Sequence, residues 1–391
     1  MPTLNANIKL SASITADISS LVINAYIDQP FDRVNDIFLT GSGSLTFADY
    51  NGDWNPQNTS SPYTGLLVPM VPITLTADYA STNYTMFKGF IKSWTYKPAN
   101  GSEVASMTVT FIDGLGILSE VYVETLTYYA AAGWTTGYRI YGILIESGWD
   151  WATQSVINLG ATYVLADPGT RRTALQAIQT MENSELGAAY CDSMGNFVFL
   201  DRNAIAILSS NTPFLFNDNG TNISYQDVAF KYDTDFIYNY IQVYYNDPNS
   251  WVGVGDTASQ SQYFERSLYR QDNLIEYYYD ALNQAYVLSS GRSQPILRIA
   301  SITLDISDGQ PANRIAAGLY MDRYQPIQVT RSVPGTSSIT KDLICCGLTY
   351  TITPTKWTVK VQTMEPEIAS FVLNGTYPLA GGILGTNQLS Y

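Results

Sequence analysis

The chain has 391 residues, of which 46% are hydrophobic and only 14% are charged, and its formal net charge is −14. This acidic balance argues against a nucleic-acid-binding surface, because such surfaces neutralise phosphates with clustered Lys and Arg side chains. The chain contains no histidine, which excludes Ser-His-Asp and Cys-His nucleophiles and histidine-based zinc sites.

The first hundred or so residues predict antiparallel β-structure. Apolar and polar residues alternate with a period of two, and turns rich in Gly, Asn and Pro separate the runs. The clearest runs are Ile8–Ser11, Ser44–Phe47, Ile73–Thr76 and Met107–Phe111. Because Tyr and Thr are abundant, we expect a sheet with one face in water.

Residues 119–205 predict a compact α/β module in which two helices are followed by a β-hairpin. The apolar positions at helical spacing are Ile140, Ile143 and Leu144 in the first helix and Leu175, Ile178 and Met181 in the second. Gly148 is placed to end the first helix. The hairpin turn is Asp192–Gly195, and Phe197 and Phe199 follow it. We expect the second helix to cover an apolar face of this hairpin.

The remaining sequence predicts a mixed region and then a return to β-structure. Phe236–Tyr245 has the composition of a strand, whereas Trp251–Gln262 is rich in Gly, Ser and Gln and predicts a long surface loop. Four further strands are predicted at Leu297–Ala300, Ile327–Thr330, Gly347–Ile352 and Trp357–Val361. Residues 374–391 are interpreted as an extended arm.

The cysteines and the N-terminal sequence predict a soluble protein made in a reducing cytosol. Cys191, Cys345 and Cys346 are odd in number, and two of them are adjacent, so they do not form a disulfide framework. We expect all three to be reduced and buried. Met1–Leu4 does not begin a signal peptide, and no run approaches the roughly 18 apolar residues of a membrane span.

Carboxylates are the groups that could still perform acid–base catalysis, as glycosidases do with two Asp or Glu residues. Four acidic residues lie close together around the predicted hairpin: Glu182, Glu185, Asp192 and Asp201. With 34 acidic residues in the chain, such groups arise by chance. We therefore expect structural roles, with Glu182 and Glu185 facing solvent near a helix end and Asp192 stabilising a turn.

Two further motifs are too incomplete to define a ligand site. Asp49, Asn51 and Asp53 are similar to the start of a calcium loop, but the later Glu and the flanking helices are missing, so an Asn-Gly turn is expected. Gly253–Gly255 lacks the preceding strand and the helix glycine of a phosphate-binding loop. The sequence therefore predicts no catalytic, cofactor-binding or metal-binding residue and no cofactor.

The 30 Tyr and 7 Trp residues allow three interpretations. Tyr suits the half-exposed face of an antiparallel sheet. Tyr and Trp are also enriched at protein–protein contacts, and aromatic rings can stack on sugars. We favour these interpretations in that order.

A turn-rich stretch in the first β-region carries a family resemblance. Gly43–Asn58 (GSLTFADYNGDWNPQN) continues through Ser61–Tyr63 to Leu67–Pro69. It resembles minor tail proteins of long-tailed bacteriophages, in which a strand leads into a DNxDGxFxPxN turn and an SPY…LxPG segment. Phe87–Trp94 is similar to the F-x-G-x-I strand that follows there, and Thr108–Leu118 is similar to the next strand and its helix entry.

The helix–hairpin segment carries the second part of this resemblance. Residues 182–202 (ENSELGAAYCDSMGNFVFLDR) are similar to the ESE-x-G helix end and hairpin of the same family, and Ile143–Trp149 is similar to its ILxxxGW motif. The similarity covers residues 15–205 and is architectural beyond them. The sequence departs from the family at Tyr26–Gln29, where Gly-Arg is common, and at Met70, where a glycine is common.

The resemblance implies the fold of a phage tail hub (baseplate hub-like, Tal N-terminal-like family). This fold is mainly β with an α+β insertion, in which two small β-barrel hub domains bracket an α/β domain and a mixed domain. The implied domains are an N-terminal barrel at 1–118, an α/β side domain at 119–205, a mixed β-rich domain with a long loop at 206–296 that partly returns to the first barrel, a C-terminal barrel at 297–373 and an extended arm at 374–391.

The function implied by the resemblance is that of a structural virion protein, without enzymatic activity, at the tip of a phage tail assembled in the host cytoplasm. A homotrimer would form a pseudo-sixfold ring that joins the hexameric tail tube or distal tail protein to threefold tip components. Further implied partners are the C-terminus of the tape measure protein and tail-tip fibre or receptor-binding proteins. Phage DNA would pass through the acidic lumen without specific binding. The alternatives are a carbohydrate-binding or glycan-degrading tail-tip protein and a host-adhesion module.

Overall fold

β-Strands make up most of the regular structure. The computed structural model describes residues 2–150, 152–232, 235–335, 338–365, 378–379 and 382–383. The strands before residue 118 are β1 (Thr3–Lys9), β2 (Thr15–Asp17), β3 (Val22–Gln29), β4 (Phe31–Asp32), β5 (Ile37–Phe38), β6 (Ser42–Ala48), β7 (Pro72–Tyr79), β8 (Thr82–Lys97) and β9 (Ser106–Ile112). Those up to residue 231 are β10 (Tyr122–Val123), β11 (Trp134–Thr135), β12 (Ser155–Ile157), β13 (Tyr163–Val164), β14 (Arg172–Thr173), β15 (Ala188–Cys191), β16 (Phe197–Leu200), β17 (Phe214–Asn217), β18 (Ile223–Ser224) and β19 (Asp227–Lys231).

The later strands and the helices complete the described elements. The strands are β20 (Tyr240–Tyr245), β21 (Asp247–Gly255), β22 (Ser267–Arg270), β23 (Arg298–Asp305), β24 (Pro326–Arg331), β25 (Ile339–Ile352), β26 (Trp357–Met364), β27 (Pro378–Leu379) and β28 (Gly382–Ile383). The helices are α1 (Gly114–Leu118), α2 (Thr136–Glu146), α3 (Ala174–Glu185), α4 (Arg202–Ser209), α5 (Thr257–Tyr263), α6 (Tyr278–Arg292) and α7 (Ala312–Tyr320). A short 3₁₀ turn spans Ser19–Leu21. None of the helices in the described ranges has the length and hydrophobicity that a membrane span requires.

One 14-stranded sheet joins the two β-rich ends of the chain. Its N-terminal half runs in the order β2-β1-β7-β8-β9-β6-β3, and β3 then pairs with β25. From β25 the sheet continues on one side to β24, β17 and β18 and on the other to β26, β23 and β19. Residues 25–29 of β3 lie antiparallel to residues 348–352 of β25. The two segments predicted as separate barrels therefore share a continuous sheet.

The strand order does not close into a ring in either half of the sheet, within the residues described. The mainly β class is thus confirmed, whereas the two closed barrels are not. β25 accounts for the difference, because its first half pairs with β24 and its second half with both β26 and β3. A strand that is occupied on both edges in this way joins the two halves instead of sealing one of them.

A single core lies beneath this sheet. In β1, Leu4, Ala6 and Ile8 point inward and alternate with more exposed residues, as the two-residue period of a strand requires. The same hydrophobic cluster contains Phe47 from the N-terminal half and Val359 from the C-terminal half, both fully buried. The four late strand predictions are confirmed at the positions of β23–β26, and three of the early ones at β6, β7 and β9. The prediction at Ile8–Ser11 overlaps β1 only at residues 8 and 9.

The two helices and the hairpin predicted in residues 119–205 are present and share one core, in which α2 packs on α3 and α3 packs on β15. Thr173 and Gln176 form a reciprocal capping box that starts α3. Gly148, with φ of +74°, follows the end of α2. The hairpin is extended by β12, which lies parallel to β16. Phe38, in the β4–β5 hairpin, packs into the same core and attaches this module to the sheet.

A third module contains the strand order β21-β20-β22 and helix α6. The prediction of a long surface loop at Trp251–Gln262 is wrong. The first part of this segment is the end of β21, and the second part forms α5. Val252 and Val254 pack in the core of this module, and Asp256 caps α5 by accepting a hydrogen bond from the Ser259 amide at 3.0 Å. The predicted strand at Phe236–Tyr245 is shorter than expected and begins at Tyr240.

The other strands of the predicted mixed region belong to the large sheet. β17 pairs with β24, and β19 pairs with β23, so both join the C-terminal half. The predicted arm at 374–391 lies outside the described residues, apart from the antiparallel pair β27–β28.

Candidate functional site: a buried polar junction

Two charged residues at the end of α3, Glu182 and Glu185, lie at a buried junction between the large sheet and the two smaller modules. The prediction that Glu182 and Glu185 face solvent is wrong, because they are only 3% and 0% exposed. Helical spacing places residues 182 and 185 on the same face as the apolar Ile178 and Met181, which is the face that covers the hairpin. The charge of the two residues had suggested the opposite face.

Glu185 ties together three segments of the α/β module. Its carboxylate accepts hydrogen bonds from the Thr136 hydroxyl at 2.9 Å and from the backbone amides of Ala161 and Thr162 at 3.1 and 2.9 Å. Arg202, at the start of α4, lies 3.4 Å from the second oxygen. A buried carboxylate is tolerated when its oxygens are satisfied in this way. Glu185 therefore holds the starts of α2 and α4 against the end of α3.

Gly160 leaves the space that this arrangement needs. Its φ is +80°, and a Cβ at this position would lie 2.0 Å from the Thr136 hydroxyl and 3.0 Å from a Glu185 oxygen. Both the backbone conformation and the close approach require glycine here.

Asp36 lies at the tip of the β4–β5 hairpin and binds two arginines of the third module. Its carboxylate is 2.6 Å from Arg270 and 2.8 Å from Arg292. Burial alone would raise the pKa of Asp36, but the charges of Arg292 and Arg270 hold it below its ordinary value. Arg270 also donates to the Asn183 side chain of α3 at 3.0 Å. This cluster connects the β4–β5 hairpin, the α/β module and the third module.

Glu182 has a different environment from Glu185. Its carboxylate accepts a hydrogen bond from the Ala189 amide at 3.1 Å. Burial raises the pKa of Glu182 well above its ordinary value, and the nearby Asp36 carboxylate adds to the effect. The protonated form is therefore the one that this position favours.

Arg139 is a fully buried cation that the sequence analysis did not identify. Its guanidinium donates to four backbone carbonyls and lies 3.9 Å from the Asp167 carboxylate. The four carbonyls belong to Tyr129, Ala130, Ala131 and Leu165, at 2.7 to 3.2 Å. Its position beside Ile140 on an apolar helix face was the available signal, because an arginine among core residues needs buried acceptors.

Arg323 fixes the hairpin to the sheet at a second place. It is 5% exposed and donates to the Cys191 carbonyl at 2.8 Å, and its guanidinium lies over the rings of Phe38 and Tyr190. Nearby, burial raises the pKa of Asp113 to about 6, although hydrogen bonds from the Gly41 and Gly116 amides oppose the shift. These contacts join the segments that follow β9 and precede β24 to the end of β15.

Asp280 links α6 to this junction, and its ionisation makes the stability of the folded protein depend on pH. Burial raises the pKa of Asp280 to about 6, although Arg202 opposes the shift. An aspartate whose folded-state pKa is raised holds its proton more tightly when folded, so its contribution to stability is lost as pH rises from about 4 to 6. We expect the unfolding free energy of Asp280→Asn, relative to the wild type, to increase by about 2 kcal/mol between pH 4 and pH 7.

Urea denaturation of both proteins at a series of pH values measures this difference. Asp227→Asn is the matched control, because Asp227 is exposed on β19. Its difference from the wild type should stay constant over the same range. Parallel pH profiles for Asp280→Asn and the wild type would contradict the assigned role.

The other acidic residues named from the sequence have local roles. Asp192 accepts hydrogen bonds from the Asn196 backbone and side chain at 2.8 and 3.0 Å, which confirms its predicted role in the turn. Asp201 caps α4 through the Ala204 amide at 2.8 Å. Asp49 is buried and accepts from the Trp54 amide at 3.3 Å. In the described ranges, no group of three or more His, Cys, Asp or Glu residues could hold a metal ion.

The three cysteines are free and buried, as predicted. Burial raises the pKa of the Cys191 thiol well above its ordinary value and that of Cys346 to about 12. A protonated, buried thiol is a poor nucleophile. The cysteines therefore act as small core residues.

Exposed tyrosines surround the place where the α/β module meets the third module. Tyr163 and Tyr277 are 45% and 50% exposed, and their ring centroids lie 5.8 Å apart. Tyr278 and Tyr279 continue this surface, with ring centroids 5.2 Å apart. Val164 and Ile275 form a β-bridge beneath them. Such a tyrosine surface has the composition of a protein–protein contact.

The junction as a whole is built to hold three modules together. Its carboxylates are bound to arginines or to backbone amides, or are buried in a form that favours the proton. Arginine–carboxylate pairs with these geometries fix the relative orientation of the elements that carry them. Breaking such a pair is costly, because the remaining partner is left buried without its opposite charge.

No family model matches the sequence, and neither does any curated protein. Several solved structures are nevertheless similar over almost the whole chain. A tail protein from Neisseria meningitidis aligns with 94% of this chain and 97% of its own, with a TM-score of 0.59 and 12% identity. The 43 kDa tail protein of prophage MuSo2 from Shewanella oneidensis aligns with 94% of this chain and 99% of its own, with a TM-score of 0.56 and 10% identity.

The prophage tail protein gp18 from Listeria monocytogenes aligns with 95% of this chain and 97% of its own, with a TM-score of 0.50 and 10% identity. At such low identity, the shared property is the fold. The resemblance predicted from the Gly43–Asn58 and 182–202 motifs is thus confirmed at this level. The chain has the fold of bacteriophage tail proteins.

Proposed function

We propose that this protein is a structural component of a phage tail and acts as its hub. The observation that carries the proposal is the likeness to tail proteins over 94% of the chain, which includes both halves of the sheet and the inserted modules. The motif resemblance from residue 15 to 205 supports the same assignment. Fold alone does not define function, so the assembly is the property to test.

In the proposed assembly, three chains form a pseudo-sixfold ring. The sheet supports this idea because it has two halves of seven strands each, joined through β3 and β25. Three copies of a two-part subunit can match a hexameric neighbour. Edge strands would meet between chains and close the barrels that the single chain leaves open.

The proposed partners follow from this position at the tail tip. They are the tail tube or distal tail protein on the hexameric side, tail-tip fibre or receptor-binding proteins on the threefold side, and the C-terminus of the tape measure protein. Phage DNA would pass through the ring, and the net charge of −14 supports passage without binding because it repels phosphates. The exposed tyrosines around Tyr163 and Tyr277 are suited to one of the protein contacts.

A non-enzymatic role is part of the proposal. The carboxylates that could have served as a catalytic pair, Glu182 and Glu185, are buried and engaged with the backbone. The domain division at 118, 205, 296 and 373 is likewise proposed, with the junction described above holding the modules in place.

The oligomeric state of the purified full-length chain tests this function. Light scattering after gel filtration should give three times the 43.2 kDa of one chain, and electron microscopy should show a threefold ring with a central pore. A monodisperse monomer at high concentration would contradict the proposal. Release of glycans by the protein, lost on a single Asp→Asn or Glu→Gln substitution, would support the enzymatic alternative instead.

A further inference from the structure

One face of the three-stranded sheet in the third module is open to solvent and rich in aromatic residues. We call it the aromatic face, and its outward positions are Tyr240, Gln242, Tyr244, Trp251, Gly253, Gly255, Ser267 and Tyr269. The residues that alternate with them, such as Ile241, Val243 and Val252, belong to the core shared with α6. Trp251 and Tyr269 are 48% and 54% exposed. Exposed apolar surface of this kind is characteristic of interaction and ligand-binding sites.

Two glycines of β21 form a floor beneath the side chains of Tyr240 and Trp251. A Cβ on Gly253 would lie 2.9 Å from the Tyr240 hydroxyl and 3.0 Å from the Trp251 ring atom Cζ3. A Cβ on Gly255 would lie 3.4 Å from the Tyr240 ring atom Cδ2. The two aromatic side chains therefore meet above β21, in space that a side chain at position 253 would occupy. A glycine inside a strand often marks such a close approach.

Gln242 supplies a polar group at the centre of the aromatic face. In the register of the sheet, it lies between Gly253 of β21 and Tyr269 of β22. Gln242 is only 8% exposed, and its side-chain amide has no hydrogen-bond partner within the described residues. The amide still reaches the surface of the face, since it is not one of the fully enclosed polar atoms that lack a partner. It can both donate and accept hydrogen bonds, as a hydroxyl group does.

Aromatic side chains lie on both sides of this amide. Neighbouring strands are about 4.8 Å apart, so the positions of Gly253 on β21 and Tyr269 on β22 are separated by about 10 Å across the face. The side chains of Tyr240 and Trp251 meet at the first position, and Tyr269 occupies the second. A ligand that contacts both must be elongated, with an apolar surface at each end and polar groups between them.

The eight outward positions carry no charged side chain. A phosphate or an acidic polysaccharide would therefore meet no cation there, and a basic peptide would meet no carboxylate. An apolar side chain of a protein partner would bury the Gln242 amide without a hydrogen bond, which is unfavourable. Sugar hydroxyls can satisfy that amide. The C–H groups on one side of a sugar ring pack on aromatic rings, whose faces carry partial negative charge.

We propose that the aromatic face binds a neutral oligosaccharide. Trp251 and Tyr269 stack on sugar rings, and the Gln242 amide exchanges hydrogen bonds with hydroxyl groups between them. The site lies in the third module alone, so this inference does not depend on the proposed tail function.

Titration of the purified full-length protein with hexasaccharides tests the proposal. The neutral probes are maltohexaose, cellohexaose and chitohexaose, and hexagalacturonate is the acidic comparison. Calorimetry and tryptophan fluorescence report binding. We expect at least one neutral probe to bind and hexagalacturonate not to bind. Absence of binding by all three neutral probes, or equal binding of the acidic one, would overturn the proposal.

Substitutions of the exposed rings locate the bound sugar. We expect Trp251→Ala and Tyr269→Ala each to weaken binding about tenfold, because each variant lacks one stacking ring. Tyr50→Ala is the matched control, since Tyr50 is 70% exposed and lies in the turn region after β6. Its affinity should equal that of the wild type. Undiminished binding by both ring variants would place the sugar elsewhere and overturn the assignment.

Gln242→Leu tests the role of the amide. Leu has a similar volume but cannot form hydrogen bonds, so we expect binding to weaken about tenfold. Urea denaturation should show that the variant is as stable as the wild type, because the amide has no partner within the described residues. Unchanged affinity in this variant would contradict the hydrogen bond to the sugar.

Light scattering distinguishes a sugar site from a contact with a second copy of the chain. Under the proposal, Trp251→Ala has the same molar mass in solution as the wild type. A lower molar mass for this variant would assign the aromatic face to a contact between subunits and would overturn the proposal.

Discussion

Replacement of Arg139 by Met is expected to lower the free energy of unfolding by about 3–5 kcal/mol. Met fills a similar volume but has no donors, so the half-buried carbonyls of Tyr129 and Leu165 would lose the donor that Arg139 supplies, and the Asp167 carboxylate would lose a nearby cation. The Ala130 carbonyl would keep its hydrogen bond from the Asp167 amide. Arg139→Lys should have an intermediate effect, since one ammonium group cannot reach all four acceptors. The midpoint and slope of urea denaturation measure these changes.

The matched control for this experiment is Arg171→Met. Arg171 is exposed, and its guanidinium lies 4.9 Å from the ring centroid of the exposed Tyr122. A contact of this kind contributes about 0.5–1 kcal/mol at most. If Arg139→Met were no more harmful than Arg171→Met, the buried guanidinium would not be needed to hold the segments around it.

Replacement of Gly160 by Ala is expected to destabilise the α/β module by about 3 kcal/mol or more. The new Cβ would approach the Thr136 hydroxyl at 2.0 Å, so the hydrogen bond between Thr136 and Glu185 could not keep its geometry. The strain of the positive φ adds to this effect. Thermal or urea unfolding followed by circular dichroism measures the loss.

Gly169→Ala separates the two causes. Gly169 also has a positive φ, +61°, but no atom lies within 4 Å of the position of its Cβ. Its substitution should cost only the backbone strain, about 1–2 kcal/mol. Equal losses in the two variants would mean that the space around Glu185 is not limiting.

The strands of the sheet could be predicted from the sequence because each has a local signal. In β1, β6, β7 and β9, one face is buried and the other is more exposed. Apolar and polar residues therefore alternate within a few consecutive positions of the sequence. The hairpin at 188–200 was predictable for a related reason, since Gly195 marks its turn. The pairing of β3 with β25 has no such signal, because it depends on residues that are distant in the sequence.

The polar junction was not predicted because a charged residue, considered without its tertiary contacts, predicts exposure to solvent. Glu185 is buried only because Thr136, the amides of 161 and 162, and Arg202 converge on it from three other segments. The prediction of a loop at residues 251–262 was wrong for a similar reason. The Gly and Ser residues of this segment suggest a loop, whereas pairing with β20 and the packing of Val252 and Val254 in the third module stabilise the strand.

The pairing of β3 with β25 also has a consequence for biosynthesis. The partner residues 348–352 are synthesised more than 300 residues after residues 25–29 of β3. At a translation rate of about 5–20 residues per second, the edge of β3 that pairs with β25 stays unpaired for tens of seconds during synthesis. We therefore expect slow maturation of the nascent polypeptide and a need for chaperones, and fragments that stop before residue 339 should precipitate through that edge.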